Sequence, residues 1–168
     1  MKKILCFVDE VYEDLELWYP KIRLEEAGFA VVVAGPEKGH LYKGKHGYPC
    51  HSDAAIREMK SADFVALVIP GGFAPDKLRR DPKVLELTAA FDREGKPIAS
   101  ICHGGWIPIS AKIVKGRRVT STRAIKDDLE NAGATWVDEA VVVDRNLVTS
   151  RTPKDLADFL KALLQKLG

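Results

Sequence analysis

Four short apolar runs, broken only by Ser100 in the last, constrain this chain more than any other feature: residues 4–8, 30–34, 64–69 and 97–101. A strand with one wet face alternates apolar and polar side chains. A run without alternation belongs to a strand covered on both faces, as in the middle of a parallel sheet. Helical spacing fills much of the chain between and after them. Leu15, Leu17, Trp18, Ile22 and Leu24 precede a stop at Gly28, residues 74–94 precede Gly95 with a break at Pro82, and residues 153–167 put Leu156, Phe159, Leu160, Leu163 and Leu164 on one face. Alternation through short links predicts a single doubly wound α/β domain over residues 1–168, with a mostly parallel sheet and helices on both faces. The 168 residues suffice for one such core.

The remaining segments are read more coarsely. Residues 35–51 form a small hairpin or a long loop, 54–60 a short helix, 106–114 an apolar helix, 118–121 a strand and 124–132 a helix. Residues 136–143 and 147–150 flank a hairpin turn at Asp144-Arg145-Asn146. Pro20 falls inside the first helical stretch and predicts a kink or an early break there.

Ligands of doubly wound sheets bind outside the carboxyl ends of the strands. Three chemically distinctive stretches fall there. Residues 9–16 carry five acidic side chains in eight, Gly71-Gly72 follows the third run, and Cys102-His103 follows the fourth. The spacing Ser100-x-Cys102-x-Gly104 has the form of a nucleophile elbow, a sharp strand-to-helix turn that small neighbours allow to close. A helix opening at Cys102 aims unpaired N–H groups at the sulfur and favours the thiolate. Free N–H groups at Gly71-Gly72 suit an oxyanion. His103 is the only histidine from Cys102 onward, so a base far downstream is excluded; the segment holding His40, His46 and His51 is the other source.

The totals exclude several functions. The formal net charge is +2 with both signs dispersed, which argues against a nucleic-acid or membrane surface. Three cysteines without paired spacing fit a reducing compartment, and the absence of a leader-like segment fits the cytoplasm. No Walker motif is present and no G-x-G-x-x-G follows the first strand, so no nucleotide cofactor is expected. The His and Cys spacings at 40–51 match no zinc pattern, so no metal is expected either.

Ordered matches along nearly the whole chain carry a resemblance. They are Glu13-Asp14-x-Glu16, Gly44-Lys45-His46-Gly47-Tyr48, Pro70-Gly71-Gly72-x-Ala74-Pro75, Ala99-Ser100-Ile101-Cys102-His103-Gly104, Ile125-Lys126-Asp127-Asp128 and Ser150-Arg151-x-Pro153. On these the chain resembles the ThiJ/PfpI superfamily, and within it the PfpI-like intracellular cysteine peptidases. The resemblance implies a flavodoxin-like sandwich and a cofactor-free Cys-His-Glu site. In that site Cys102 is the nucleophile, His103 its partner and Glu13 the carboxyl beside the sulfur. The N–H groups of Gly72 and His103 form the oxyanion hole, and Asp76 matches an acid supplied by a neighbouring subunit. It also implies homo-oligomers, dimers or hexamers built from them. The substrates are peptides or small carbonyls, since relatives act as peptidases, protein deglycases or glyoxalases. A redox-sensing or chaperone-like stress protein is the non-catalytic alternative. A glutamine amidotransferase shares the elbow but needs a downstream His that is missing here. Gly105-Trp106 replaces the Pro that commonly follows His-Gly, and Thr122-Arg123 stands where relatives carry an aromatic and Pro.

Overall fold

The computed structural model describes residues 1–168. Strand β1 (Lys3–Phe7) leads into helix α1 (Asp14–Glu26) and strand β2 (Ala30–Gly35). A hairpin of β3 (Leu41–Lys43) and β4 (Pro49–His51) precedes the two-residue strand β5 (Ala54–Ala55). Strand β6 (Ala66–Ile69) is followed by α2 (Ala74–Leu78) and α3 (Pro82–Arg93), then β7 (Ile98–Ile101) and α4 (Trp106–Ser110). The last third holds β8 (Arg118–Val119), α5 (Lys126–Asn131), β9 (Thr135–Trp136), β10 (Val141–Asp144), β11 (Leu147–Ser150) and α6 (Leu156–Leu167).

The main sheet has seven strands in the order β10-β11-β7-β6-β1-β2-β5. All neighbours run parallel except the β10–β11 hairpin at one edge. This is the mostly parallel α/β sandwich expected from the four apolar runs, and the central strands β6 and β7 are buried at every position. The chain works outward from β1 through β2 to β5, then returns to place β6 on the other side of β1. Strand order therefore reverses between β1 and β6, and the crevice at their carboxyl ends is where such sheets take ligands. On one face of α6, Leu156, Phe159, Leu160 and Leu163 are buried, each worth about 1.5–3 kcal/mol.

Several local expectations need correction. Helix α1 runs through Pro20 without a break. A proline removes one N–H from the ladder, and here the loss is offset by burial of Leu17, Pro20 and Leu24 in the core-facing stripe. Residues 54–60 give the strand β5 and a 3-10 turn (Ile56–Glu58) in place of a helix. The helix after the elbow stops at Ser110, well short of residue 114, because Lys112 turns into the left-handed region at φ 60°. The break at Pro82 is present, with Asp81 capping α3 through the Lys83 N–H.

The hairpin β3–β4 is fastened to the start of α1 by one buried side chain. Asp14 accepts from the N–H of His46 at 2.9 Å and of Tyr48 at 2.9 Å. Asp14→Ala leaves both amides without their charged acceptor. The expected cost is about 2 kcal/mol, read as a lower urea midpoint at unchanged slope.

Candidate active site

Cys102 follows the last residue of β7 and adopts φ 59°, a left-handed conformation that non-glycine residues rarely take. This is the strained elbow that the spacing predicts. The chain then makes one 3-10 turn (Cys102–Gly105) and enters α4. Glycine is needed at 104, because a Cβ there would lie 2.5 Å from the Ile69 carbonyl oxygen. A second strained residue, Val11 at φ 62°, lies across the cleft, held by its N–H to the Lys43 carbonyl at 2.9 Å. A β-branched side chain in that region is a clear outlier, and such strain gathers at functional sites.

His103 is the partner that the geometry supplies. Its Nδ1 lies 3.4 Å from the Cys102 Sγ. Burial and the Lys45 charge hold its pKa below the usual histidine value, so it is neutral near pH 7 and able to take a proton. Its ring packs on Trp106, with centroids 5.0 Å apart, and the Trp106 indole N–H is anchored by Asp128 at 3.0 Å. The alternative source of a base is not at the sulfur. His46 points to Glu13 and His40 to Glu10 and Glu37.

The carboxyl beside the sulfur is that of Glu16, not Glu13. Glu13 is the N-cap of α1, where its Oε2 accepts from the Glu16 N–H at 2.9 Å. Its Oε1 faces His46 at 3.7 Å. Glu16 is fully buried and turned toward the sheet, where its Oε1 accepts from the Gly71 N–H at 3.0 Å. A Cβ at Gly71 would meet Glu16 Oε1 at 2.5 Å and Cys102 Cβ at 2.9 Å, so both side chains close on the same glycine. Burial, then the Glu13 charge, raise the Glu16 pKa to about 8, which leaves it a neutral acid at pH 7.

The thiol does not follow the helix-terminus argument. Burial first, then the Glu16 charge, push Cys102 up to about 12. The His103 backbone N–H, the Lys45 charge and the Thr122 hydroxyl all pull the other way and are outweighed. The helix after the elbow is too short to oppose desolvation, since α4 has five residues. Cys102 and Glu16 are thus coupled, and both are uncharged near pH 7. Cys6 and Cys50 are buried and pushed up, Cys50 to about 11; Cys102 is only partly buried and is the cysteine with a histidine ring beside it.

The Gly71 amide is occupied by Glu16, but the Gly72 and His103 amides donate to no backbone carbonyl. Both face a cleft of about 230 Å³ lined by Val11, Lys45, Gly72, Phe73, His103 and Trp106. Asp76 is not brought to the thiol within the chain. It sits on α2 and pairs with Arg80 one helical turn on. Glu13, Asp14 and His46 place ligand atoms within 4.8 Å of one another. Both Asp14 oxygens and Glu13 Oε2 already hold backbone N–H groups, which leaves two free ligand atoms, fewer than a structural metal site uses.

Sequence reasoning missed Glu16, Lys45 and Val11 as lining or partner residues. The signal for Glu16 was present: Glu16, Leu17, Pro20 and Leu24 form the buried stripe of α1, and Glu13 stands at the cap position three residues before.

Comparison with known proteins identifies the family. The DJ-1/PfpI family pattern matches residues 2–166. The deglycase PfpI of Pyrococcus furiosus is 46% identical over 165 residues, covering 98% of this chain and 99% of that protein. YraA of Bacillus subtilis, named as a candidate cysteine protease, is 45% identical over 166 residues, covering 99% of this chain and 98% of that one. A crystal structure from Anabaena variabilis, of a two-domain protein with DJ-1/ThiJ/PfpI-like and ferritin-like domains, superposes with a TM-score of 0.98 at 42% identity. It aligns with 100% of this chain, which spans 48% of that longer protein. A family match from end to end, together with near-half identity to full-length relatives, settles the assignment: the chain belongs to the DJ-1/PfpI family.

Proposed function

We propose that this protein is a cysteine-dependent hydrolase that acts on small reactive carbonyls and their adducts, the deglycase type of activity. The observation that carries the reading is the Cys102 Sγ–His103 Nδ1 approach of 3.4 Å, beside the His103 and Gly72 amides, neither of which donates to a backbone carbonyl. Cys102 Sγ adds to an aldehyde carbon as its proton passes to His103 Nδ1. The developing oxyanion accepts from the Gly72 and His103 N–H groups. With methylglyoxal the product is a hemithioacetal. Moving the C1 hydrogen to C2 as a proton through an enediol gives a thioester, and water releases lactate and the thiol. Glu16, placed against Cys102 and near its midpoint at neutral pH, is the group suited to that proton transfer.

Peptide hydrolysis is the second reading. It uses the same nucleophile and amides, with His103 protonating the leaving amine, and the naming of YraA favours it. The size of the cleft, about 230 Å³, supports small carbonyls over a peptide chain. Incubation with methylglyoxal and, separately, with a fluorogenic peptide panel tests both. Lactate formation that depends on Cys102 supports the first reading, peptide turnover alone supports the second, and neither leaves an oxidation-sensing thiol as the better account.

Assembly and location belong to the same proposal. Leu15 and Ile22 on α1 are exposed beside Trp18 and Tyr48, around a groove of about 660 Å³. A second copy of the chain is the expected cover for this face, and Asp76 would act only across such an interface. The cytoplasm is the expected compartment; no helix is long and apolar enough to cross a membrane.

A further inference from the structure

The cleft lined by His103, the residue after Cys102, has one lysine on its wall, the exposed Lys45, which forms no ion pair. Lys45 lines it opposite Gly72 and His103. The surrounding loop is fixed: the Lys45 N–H donates to the Tyr12 carbonyl at 2.8 Å, the Gly44 N–H to the Tyr48 carbonyl at 2.9 Å, and Asp14 holds the amides of His46 and Tyr48. The nearby acids are engaged elsewhere. Glu10 takes the Lys43 N–H and His40, Glu13 caps α1 and faces His46, and both Asp14 oxygens hold backbone amides. Glu16 is buried below the sulfur, hydrogen-bonded to Gly71. The Lys45 charge bears on Cys102, Glu16 and His103 together, which places it within electrostatic reach of all three reacting groups.

We propose that Lys45 is a specificity-determining residue that selects electrophiles carrying a carboxylate one or two bonds from the carbon Cys102 attacks. Such a molecule fits the cleft in one orientation. Its carboxylate meets Lys45, its carbonyl oxygen meets the Gly72 and His103 amides, and its short carbon frame lies against Val11, Phe73 and Trp106. A lone ammonium at the mouth of a small cleft raises the local concentration of anions and orients them. This deepens the hydrolase reading by naming a substrate class, and it rests on Cys102 being the nucleophile.

Paired alkylation kinetics test it without turnover. Iodoacetate and iodoacetamide react alike, the thiolate forming the C–S bond as iodide leaves with the C–I pair, but only the first carries a carboxylate next to the reacting carbon. The rate ratio at Cys102, read by peptide mass and normalised to the ratio for 2-mercaptoethanol, is expected to favour iodoacetate by about fivefold at low salt. It should decline as sodium chloride is raised. Lys45→Gln should bring the normalised ratio to about one, and Lys45→Arg should keep most of the preference. A change in thiol pKa alters both rates equally and cancels in the ratio. An unchanged ratio in Lys45→Gln overturns the proposal even if methylglyoxal is turned over. A ratio that falls with the lysine upholds it even if methylglyoxal is not, so the two failures are told apart.

Discussion

Replacing Cys102 with serine is expected to lower kcat/KM for methylglyoxal conversion by about 10³-fold or more while leaving the fold intact. A hydroxyl is a far weaker nucleophile than a thiol near neutral pH, and His103 at 3.4 Å is the only base at the site to activate it. The substitution is nearly isosteric, and serine at φ 59° carries no more backbone strain than the cysteine it replaces. Melting temperature and far-ultraviolet dichroism should therefore match the parent. Lactate release and cleavage of any peptide that the parent turns over are the two readouts. A serine variant that keeps either rate removes Cys102 from that reaction and, with it, the elbow argument.

The electrostatics change what kind of nucleophile Cys102 is. A thiol pushed up to about 12 is not a resting thiolate. In the proposed reaction it loses its proton as it attacks, to a neutral His103 whose ring is held by Trp106 and, through it, by Asp128. The neutral form of Glu16 matters in the same way. While it is protonated, no carboxylate charge opposes negative charge on the sulfur, and its proton is available to the adduct.

What was legible in the sequence was local. The elbow is read from Ser100, Cys102 and Gly104, because a sharp turn between packed backbones demands small side chains at fixed offsets, and the 2.5 Å approach at Gly104 is that demand in coordinates. The buried strands are read from apolar runs, because burial on both faces leaves no room for polar residues. The choice between Glu13 and Glu16 was not local. It depends on where α1 begins: Glu13 is the cap and its carboxyl turns back onto the Glu16 N–H, which leaves Glu16, three residues on, to face the Gly71 amide and the sulfur. The thiol pKa was missed for a related reason: a helix terminus is visible in a sequence, whereas burial against Glu16, 86 positions away, is not. Asp76 shows the same limit, since Arg80, just past the end of its helix, pairs with the carboxylate that the resemblance assigns across an interface.

Glu16→Gln is expected to abolish a decline of stability with rising pH over one window. In the folded chain Glu16 stays protonated up to about 8, against about 4.3 for a glutamate in an unfolded chain. Between those values the folded state holds a proton that the unfolded state has released. Stability therefore falls as pH rises through the window, at up to about 1.4 kcal/mol per unit, a few kcal/mol in all. Above both values Glu16 is ionised in either state and the destabilisation is complete. Glutamine keeps an acceptor for the Gly71 N–H and carries no charge, so the variant lacks this decline and is the more stable protein at pH 8–9. His103, lowered in the folded chain, adds a loss of stability as pH falls below about 6.5, and Cys102, raised, adds one above about 8.5. His103 is common to both proteins and lies mainly at the acid end of the window, so the difference between the two curves isolates Glu16. Urea unfolding of parent and variant at intervals from pH 5 to 9 measures it. Parallel curves would mean that Glu16 ionises normally, and the neutral carboxyl beside the sulfur would have to be abandoned.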